Sequence, residues 1–400
     1  MTAVFAYKTF SISLGLNPAS ARSSSSPLAG GRLNCRSVSC QKRSVEAESP
    51  VRTERTVSIS YSELKDECRD LSLKIEEGFG PNGLGIISIS EVPEFSDLRQ
   101  TLLNLSPRIA SLPNNVRNQL EDPDSRYNFG WSHGKEKLES GKFDTYKGSF
   151  YANPVLDVPT TDSSLIQRYP HYCRPNIWPT HALPDLESAF KALGKLILDV
   201  GLLLAYHCDH YVSKAMKTNE DYCLQQILMR SRCHKGRLLY YFAKQQSESM
   251  KDASVSSWCG WHTDHGSLTG LTSGMFMKNG VEISCPDVAA GLYVTTRNNN
   301  IVKAVFGENE LAYQIGEITE ILSQGLLSAT PHSVQAPKGE ASIGVERSTF
   351  ALFMQPDWDE LLKFPAEIRH HQELISPNGT LTFGEYSEAL LNKYYHRKLL

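Results

Sequence analysis

The chain has 400 residues, with 41 lysines and arginines against 44 aspartates and glutamates and a formal net charge of -3. That length can bury a large core, and no run of 18 or more apolar residues offers a membrane span. Nine cysteines without a Cys-x-x-Cys pair read as free thiols in a reducing compartment, not as a disulfide framework or zinc ribbon.

Residues 1–45 stand apart. They are rich in serine, including Ser23 to Ser26, and basic through Lys8, Arg22, Arg32, Arg36, Lys42 and Arg43, with no acid before Glu46. This composition fits an organelle transit peptide of the plastid (chloroplast) type; a disordered tail is the plain alternative. Losing those six positive charges would take the net charge from -3 to about -9, a poor basis for non-specific nucleic-acid binding.

From Ser60 to Gly78, Leu64, Cys68, Leu71 and Ile75 recur at helical spacing. Leu84 to Ile89 reads as a short buried strand, and Glu94 to Ser106 as a second helix. A loop-rich stretch from Pro123 to Pro159 follows, carrying Tyr127, Phe129, Trp131, His133, Phe150 and Tyr151. Those aromatics either line a substrate mouth or simply anchor the loop.

The longest helix is expected over Pro184 to Met216, with Leu186, Phe190, Leu193, Ile197, Val200 and Leu204 as its apolar stripe. His207 and His210 near its end read as electrostatic decoration, or less readily as a metal pair. Beyond Arg237 the period becomes that of strands: Leu238 to Phe242, Trp258 to Thr263, Leu268 to Leu271, Gly291 to Thr295, Ile301 to Phe306, Ala312 to Ile315, His332 to Ala336 and Thr349 to Met354. Many short strands with turn punctuation argue for a mainly β sandwich or jelly roll. Thr382-Phe-Gly-Glu385 is a capping box for a closing helix.

One stretch carries chemistry. On a strand, His262 and Asp264 share a face while Thr263 and His265 point the other way. One imidazole and one carboxylate need a third ligand, and His332 is the best candidate. Two histidines and a carboxylate on one face of an octahedral ion leave positions open, the set used by non-haem Fe(II) oxygenases. Arg347 and Thr349 share a face of a later strand, which the loop from Pro337 to Glu346 should fold back beside the His332 strand. Each residue also has a plain reading: a turn aspartate, a core histidine, a surface arginine. Their order on strand-like segments favours the metal site. No general base accompanies them, which speaks against zinc hydrolysis.

The run His262-Thr-Asp-His-Gly-Ser-Leu-Thr-Gly-Leu271 closely resembles the plant 2-oxoglutarate- and Fe(II)-dependent dioxygenases of the isopenicillin N synthase-like family. Gln314-Ile-Gly-Glu317, the Ser-Ala-Thr-Pro-His332 context, Arg347-Ser-Thr349 and Asn176-Ile-Trp-Pro179 extend the likeness, as do Phe129 to Gly134 and Asp144 to Lys147 more loosely. Two departures stand out. The family's Asn-Tyr-Tyr-Pro-Pro run becomes Leu239-Tyr-Tyr-Phe-Ala243, without the asparagine. The interval after Asp264 is lengthened by a loop over roughly 274 to 288.

The resemblance implies a double-stranded β-helix (jelly roll) core with a helical N-terminal portion, a long supporting helix and C-terminal helices. The expected divisions are 1–45, 46–225, 226–358 and 359–400. It implies Fe(II) on His262, Asp264 and His332, and 2-oxoglutarate as cosubstrate with its far carboxylate on Arg347, Thr349 and Tyr241. O2 is consumed, with ascorbate as an optional addition. The expected partner is a small organic substrate, hydroxylated by default, with no nucleic acid and no membrane. A non-catalytic sensor on the same fold, or an oxidase that does not use 2-oxoglutarate, are the rival readings.

Overall fold

The computed structural model describes residues 51–136, 143–216, 223–243, 257–364 and 380–396; the expected transit segment lies outside them. The chain opens with strands β1 (Arg52–Arg55) and β2 (Val57–Ser60) and helices α1 (Tyr61–Lys65) and α2 (Ser72–Phe79). The single helix expected over 60–78 is therefore two. Ser60 and Glu63 form a capping box on α1. Asp66 and Asp70 then accept from the backbone amides of Cys68 and Ser72. Aspartates that bond their own backbone two residues on favour turns over helix.

Strand β3 (Ile86–Ser90) and helices α3 (Phe95–Ala110) and α4 (Asn114–Gln119) follow. The expected aromatic loop instead holds β4 (Gly130–His133) and β5 (Lys147–Ala152). Phe129, Trp131, Phe150 and Tyr151 are all at most 2% exposed. Trp131 and Phe150 join the apolar core and Phe129 is fully buried, so the mouth-lining reading fails for these three; Tyr151 is buried beside Arg237. Short helices α5 (Ser163–Arg168) and α6 (Pro170–Cys173) lead to α7 (Asp185–Ala215), whose 31 residues span roughly 46 Å. His207 in α7 is bonded through Nε2 to the Leu64 carbonyl at 2.9 Å, so it ties α1 down and is not half of a metal pair.

After α8 (Leu224–Met229) come β6 (Lys235–Tyr241), β7 (Ser257–His262), β8 (Leu268–Leu271), β9 (Met275–Lys278), β10 (Val281–Ile283), β11 (Gly291–Thr295), β12 (Ile301–Val305) and β13 (Leu311–Ile315). Helix α9 (Glu317–Leu322), β14 (His332–Gln335), a short 3-10 turn and β15 (Val345–Met354) complete the core. The pair β16 (Leu361–Lys363) and β17 (Thr380–Thr382) ends at α10 (Phe383–His396). The capping box read at Thr382 and Glu385 is present: each backbone amide donates to the other's side chain.

Two sheets face each other. The smaller runs β1-β12-β11-β14-β7; the larger runs β2-β3-β13-β8-β15-β6-β5-β4, with the β9–β10 hairpin added on β15. The N-terminal portion thus supplies β2 to β5 to the larger sheet as well as its helices. Helix α7 packs across the outer face of that sheet. Phe190 meets Phe350 edge-on at 5.0 Å, and Gly236 and Gly270 leave room where a Cβ would strike Phe190 at 2.6 Å and Ile197 at 2.2 Å. Each apolar side chain fully buried in that layer contributes about 1.5–3 kcal/mol. The inner face is left to carry polar residues.

Candidate metal centre

The register decides what the inner face presents. Residues Arg347, Thr349 and Ala351 of β15 pair with Tyr241, Leu239 and Arg237 of β6, and Phe353 pairs with Thr269 of β8. Thr269 in turn pairs with Gln314 of β13. With side chains alternating along each strand, all of these point to one side, toward the smaller sheet.

In that smaller sheet His262 and His332 are register partners on β7 and β14. Their rings lie 4.1 Å apart, centroid to centroid. The strand expected over Trp258 to Thr263 ends at His262, so Asp264 does not owe its facing to strand alternation. The next residues bond elsewhere: Glu317 donates its amide to the Asp264 carbonyl at 2.8 Å, and Gly316 donates to Ser267 at 2.9 Å. The start of α9 has captured that segment. Asp264 nonetheless faces the histidines, because its Oδ2 accepts from Thr269 Oγ1 at 2.6 Å.

The other oxygen, Oδ1, lies 3.7 Å from His262 Nε2 and 3.9 Å from His332 Nε2. All three side chains are at most 8% exposed. Among the described residues this is the one cluster of histidine, cysteine and acidic groups able to hold a metal ion. All three donor atoms lie within 4.8 Å of one another. Ligands about 2.1 Å from an ion and at right angles stand about 3 Å apart, so Asp264 Oδ1 needs to close on each imidazole nitrogen by under about an ångström.

The rest of each ring supports that use. His262 Nδ1 donates to the Gly260 carbonyl at 2.8 Å, which leaves Nε2 as the acceptor nitrogen. His332 Nδ1 lies 3.2 Å from the Thr330 carbonyl and 2.7 Å from the Gln314 amide. Gln314 Oε1 is buried without a partner. Turned toward the ring, it accepts the Nδ1 proton that a metal-facing Nε2 requires. Burial holds His332 down to about 4, with His262 adding to the fall, and burial lowers His262 as well. Both imidazoles are neutral at pH 7, the state a metal needs.

His265 points away, as expected from its place in the sequence, and pairs with Glu317, which also accepts from the Tyr386 hydroxyl at 3.2 Å. Arg347 does not lie beside the His332 strand. β14 is already paired on both sides, by β11 and β7, so the chain crosses to the opposite sheet, and Arg347 faces the metal centre from across the interior. Its guanidinium stands over the rings of Tyr241 and Trp258, at 5.2 and 4.9 Å. Burial lowers its pKa and Tyr241 opposes that fall. Thr349 Oγ1 donates to the Thr272 carbonyl at 3.1 Å, so giving its proton to a ligand requires the hydroxyl to turn.

The lengthened loop over 274–288 is largely the β9–β10 hairpin. Phe276 is the register partner of Arg347, so the insertion walls the arginine. Its sequence signal is Asn279-Gly280, whose φ values of 54° and 78° are those of a tight hairpin turn. Thr269 and Gln314, which orient two of the three donors, fall within the two runs that carry the family resemblance, but nothing in the residues themselves marks them as supports of the ligands.

No family model matches the chain, and no curated protein matches it. Solved structures do. A 2OG-Fe(II) oxygenase family protein of Caulobacter crescentus is 17% identical over 85% of this chain and 99% of its own, with a TM-score of 0.63. A Neurospora crassa protein, solved at full length in complex with alpha-KG and 5-formyluracil, is 19% identical over 84% of this chain and 95% of its own, with a TM-score of 0.60. JOX2, in complex with 2OG, Fe and JA, is 16% identical over 84% and 86%, with a TM-score of 0.55. At such identities the likeness is one of architecture: the chain has the fold of the 2OG-Fe(II) oxygenases.

Proposed function

We propose that this protein is an Fe(II)- and 2-oxoglutarate-dependent oxygenase acting on a small organic molecule, with hydroxylation as the default outcome. One observation carries the reading: two neutral imidazole Nε2 atoms and one carboxylate oxygen converge from buried side chains, each fixed from behind by its own hydrogen bond. His262, Asp264 and His332 would hold the metal, leaving positions for exchangeable ligands. Arg347, with its planar fork, would take the far carboxylate of the cosubstrate, aided by Tyr241 and Thr349. Bound iron with 2-oxoglutarate and O2 supplies the oxidising power and releases succinate and carbon dioxide.

The chain supplies position and exclusion of water. Divalent metal, Asp264, a dianionic cosubstrate and Arg347 sum to zero charge, which suits so enclosed a site. The amino-terminal composition supports plastid targeting as part of the same reading.

The test is anaerobic. Fe(II) and then 2-oxoglutarate are added to the protein, and a visible metal-to-cosubstrate charge-transfer band is expected that His262→Ala abolishes. Iron bound without a band removes 2-oxoglutarate from the reading and favours an oxidase with another reductant. A band without succinate formation under O2, across candidate substrates, favours a sensor.

A further inference from the structure

Beyond Arg347 the inner wall carries four more charges. Lys147, Ser149 and Tyr151 of β5 are register partners of Tyr241, Leu239 and Arg237 of β6. These β6 residues share a face with Arg347 and Thr349. Lys147 and Arg237 therefore point into the same interior as the cosubstrate arginine.

Glu136, from the β4–β5 connection, reaches in between them. Its Oε1 accepts from Arg237 Nη2 at 2.6 Å and its Oε2 lies 2.6 Å from Lys147 Nζ. Asp144 lies 3.5 Å from the same ammonium. Ser149 Oγ accepts from Arg237 at 3.0 and 3.1 Å, and the Tyr151 ring lies under the guanidinium at 5.1 Å. None of the four charged side chains is more than 8% exposed.

This group adjoins the metal centre: Arg237 pairs with Ala351, Ala351 pairs with Leu271 of β8, and Thr269, two residues along that strand, holds Asp264. The positive fields of Arg237 and Lys147 both act on His262 and on Cys259 beside it. Lys235, the next inward residue of β6, is turned away from it. Its ammonium donates to the Asn128 and His171 carbonyls at 2.9 and 2.8 Å, beneath the Phe129 ring.

Burying charge in this way carries a large desolvation cost, and apolar side chains of the same volume would hold the barrel at least as well. Two cations and two carboxylates also balance one another. The metal, Asp264, 2-oxoglutarate and Arg347 balance separately. A carboxylate substrate would therefore bring an uncompensated negative charge next to Glu136 and Asp144, away from water. An amide, imide or ketone brings none. Its carbonyl can accept from Arg237 or Lys147, and an N–H can donate to Glu136.

We infer that Lys147, Arg237, Glu136 and Ser149 form the substrate-recognition wall of this site, and that the group they take is an uncharged carbonyl or amide, not a carboxylate. This rests on the oxygenase reading and divides the ligand classes of the similar folds, since the Neurospora protein is seen with 5-formyluracil and JOX2 with JA.

The test is calorimetric, on the full chain loaded anaerobically with Fe(II) and 2-oxoglutarate. The probes are two matched pairs: 5-formyluracil with 5-carboxyuracil, and indole-3-acetamide with indole-3-acetate. In at least one pair the uncharged member should bind ten-fold or more tightly than the acid. Glu136→Gln leaves one positive charge uncompensated and should shift that ratio toward the acid. Asp144→Asn makes the same change at a longer contact, should the first variant not fold. Equal or tighter binding of the acids by the native protein, or no binding of any probe at millimolar concentration, overturns the inference while leaving the cosubstrate site standing. Failure to take up 2-oxoglutarate removes the oxygenase reading and this inference together.

Discussion

Thr269 Oγ1 donates to Asp264 Oδ2 at 2.6 Å, from a strand of the opposite sheet. That bond settles which carboxylate oxygen turns toward the two histidines, since Oδ1 is then the one facing both Nε2 atoms. Metal ligands held this way lose affinity when the support goes, although no ligand has been touched. Thr269→Val keeps the shape and removes the donor. Fe(II) affinity should fall about 10- to 100-fold, read by anaerobic titration. Native affinity in the variant would mean that Asp264 is oriented by the α9 contacts alone.

Those α9 contacts make their own prediction. A Cβ on Gly316 would lie 2.1 Å from the Gly266 carbonyl oxygen and 3.0 Å from that of Asp264. Both are backbone atoms that cannot swing aside. Gly316→Ala should push the 264–266 segment off α9, costing about 1–3 kcal/mol of stability and weakening iron binding with it. An unchanged melting temperature would show that the segment has slack that the packing does not suggest.

His234 gives a pH dependence away from the metal. Its Nε2 donates to the Leu228 carbonyl at 3.0 Å, and its Nδ1 accepts from the Gln355 amide at 3.4 Å. Burial pulls it down to about 4 from an ordinary value near 6.5. Below about 6.5 the unfolded chain takes up a proton that the folded chain refuses. The stability is thus fully present above 6.5 and drains away as pH falls toward 4. With EDTA present to remove metal, the melting temperature should drop across that window. His234→Gln should make the drop shallower, because His262, His332 and His171 still titrate. Parallel curves would exclude His234 as a contributor.

Much of the site is legible in the sequence because metal ligation needs few residue types, and strand alternation places them. His262, Asp264 and His332 can be grouped without any knowledge of the sheets. Pairing is what the sequence hides. Asp264 leaves the strand because α9 competes for its backbone, and β15 crosses sheets because β14 has no free edge; neither competition is visible along the chain. The aromatic segment around Trp131 reads as a loop because Gly130, Gly134 and Gly148 break its period, although Gly148 is there to admit the Trp131 ring, which a Cβ would meet at 2.3 Å. Arg237 reads as no more than the edge of an apolar run. A lone cation opening such a run is a signal of an inward polar group, but its partner, Glu136, is a hundred residues away and meets it only in the fold.

Gly274 sits against the proposed cosubstrate arginine. A Cβ there would lie 2.4 Å from Arg347 Nε and 3.0 Å from its Cζ, while Trp258 and Tyr241 take other sides of the guanidinium. The clash falls on the far end of a flexible side chain, so the backbone can stay where it is and the fork must move. A binding group has to be held within about 0.5 Å of its productive place. Gly274→Ala should therefore weaken 2-oxoglutarate binding roughly ten-fold, about 1.4 kcal/mol, with iron affinity and melting temperature unchanged. Arg347→Ala, the larger change, should weaken it further. Should Gly274→Ala bind the cosubstrate as the native protein does while Arg347→Ala does not, the arginine has room to reposition. The tight wall built by the β9–β10 insertion would then serve the substrate side of the pocket instead.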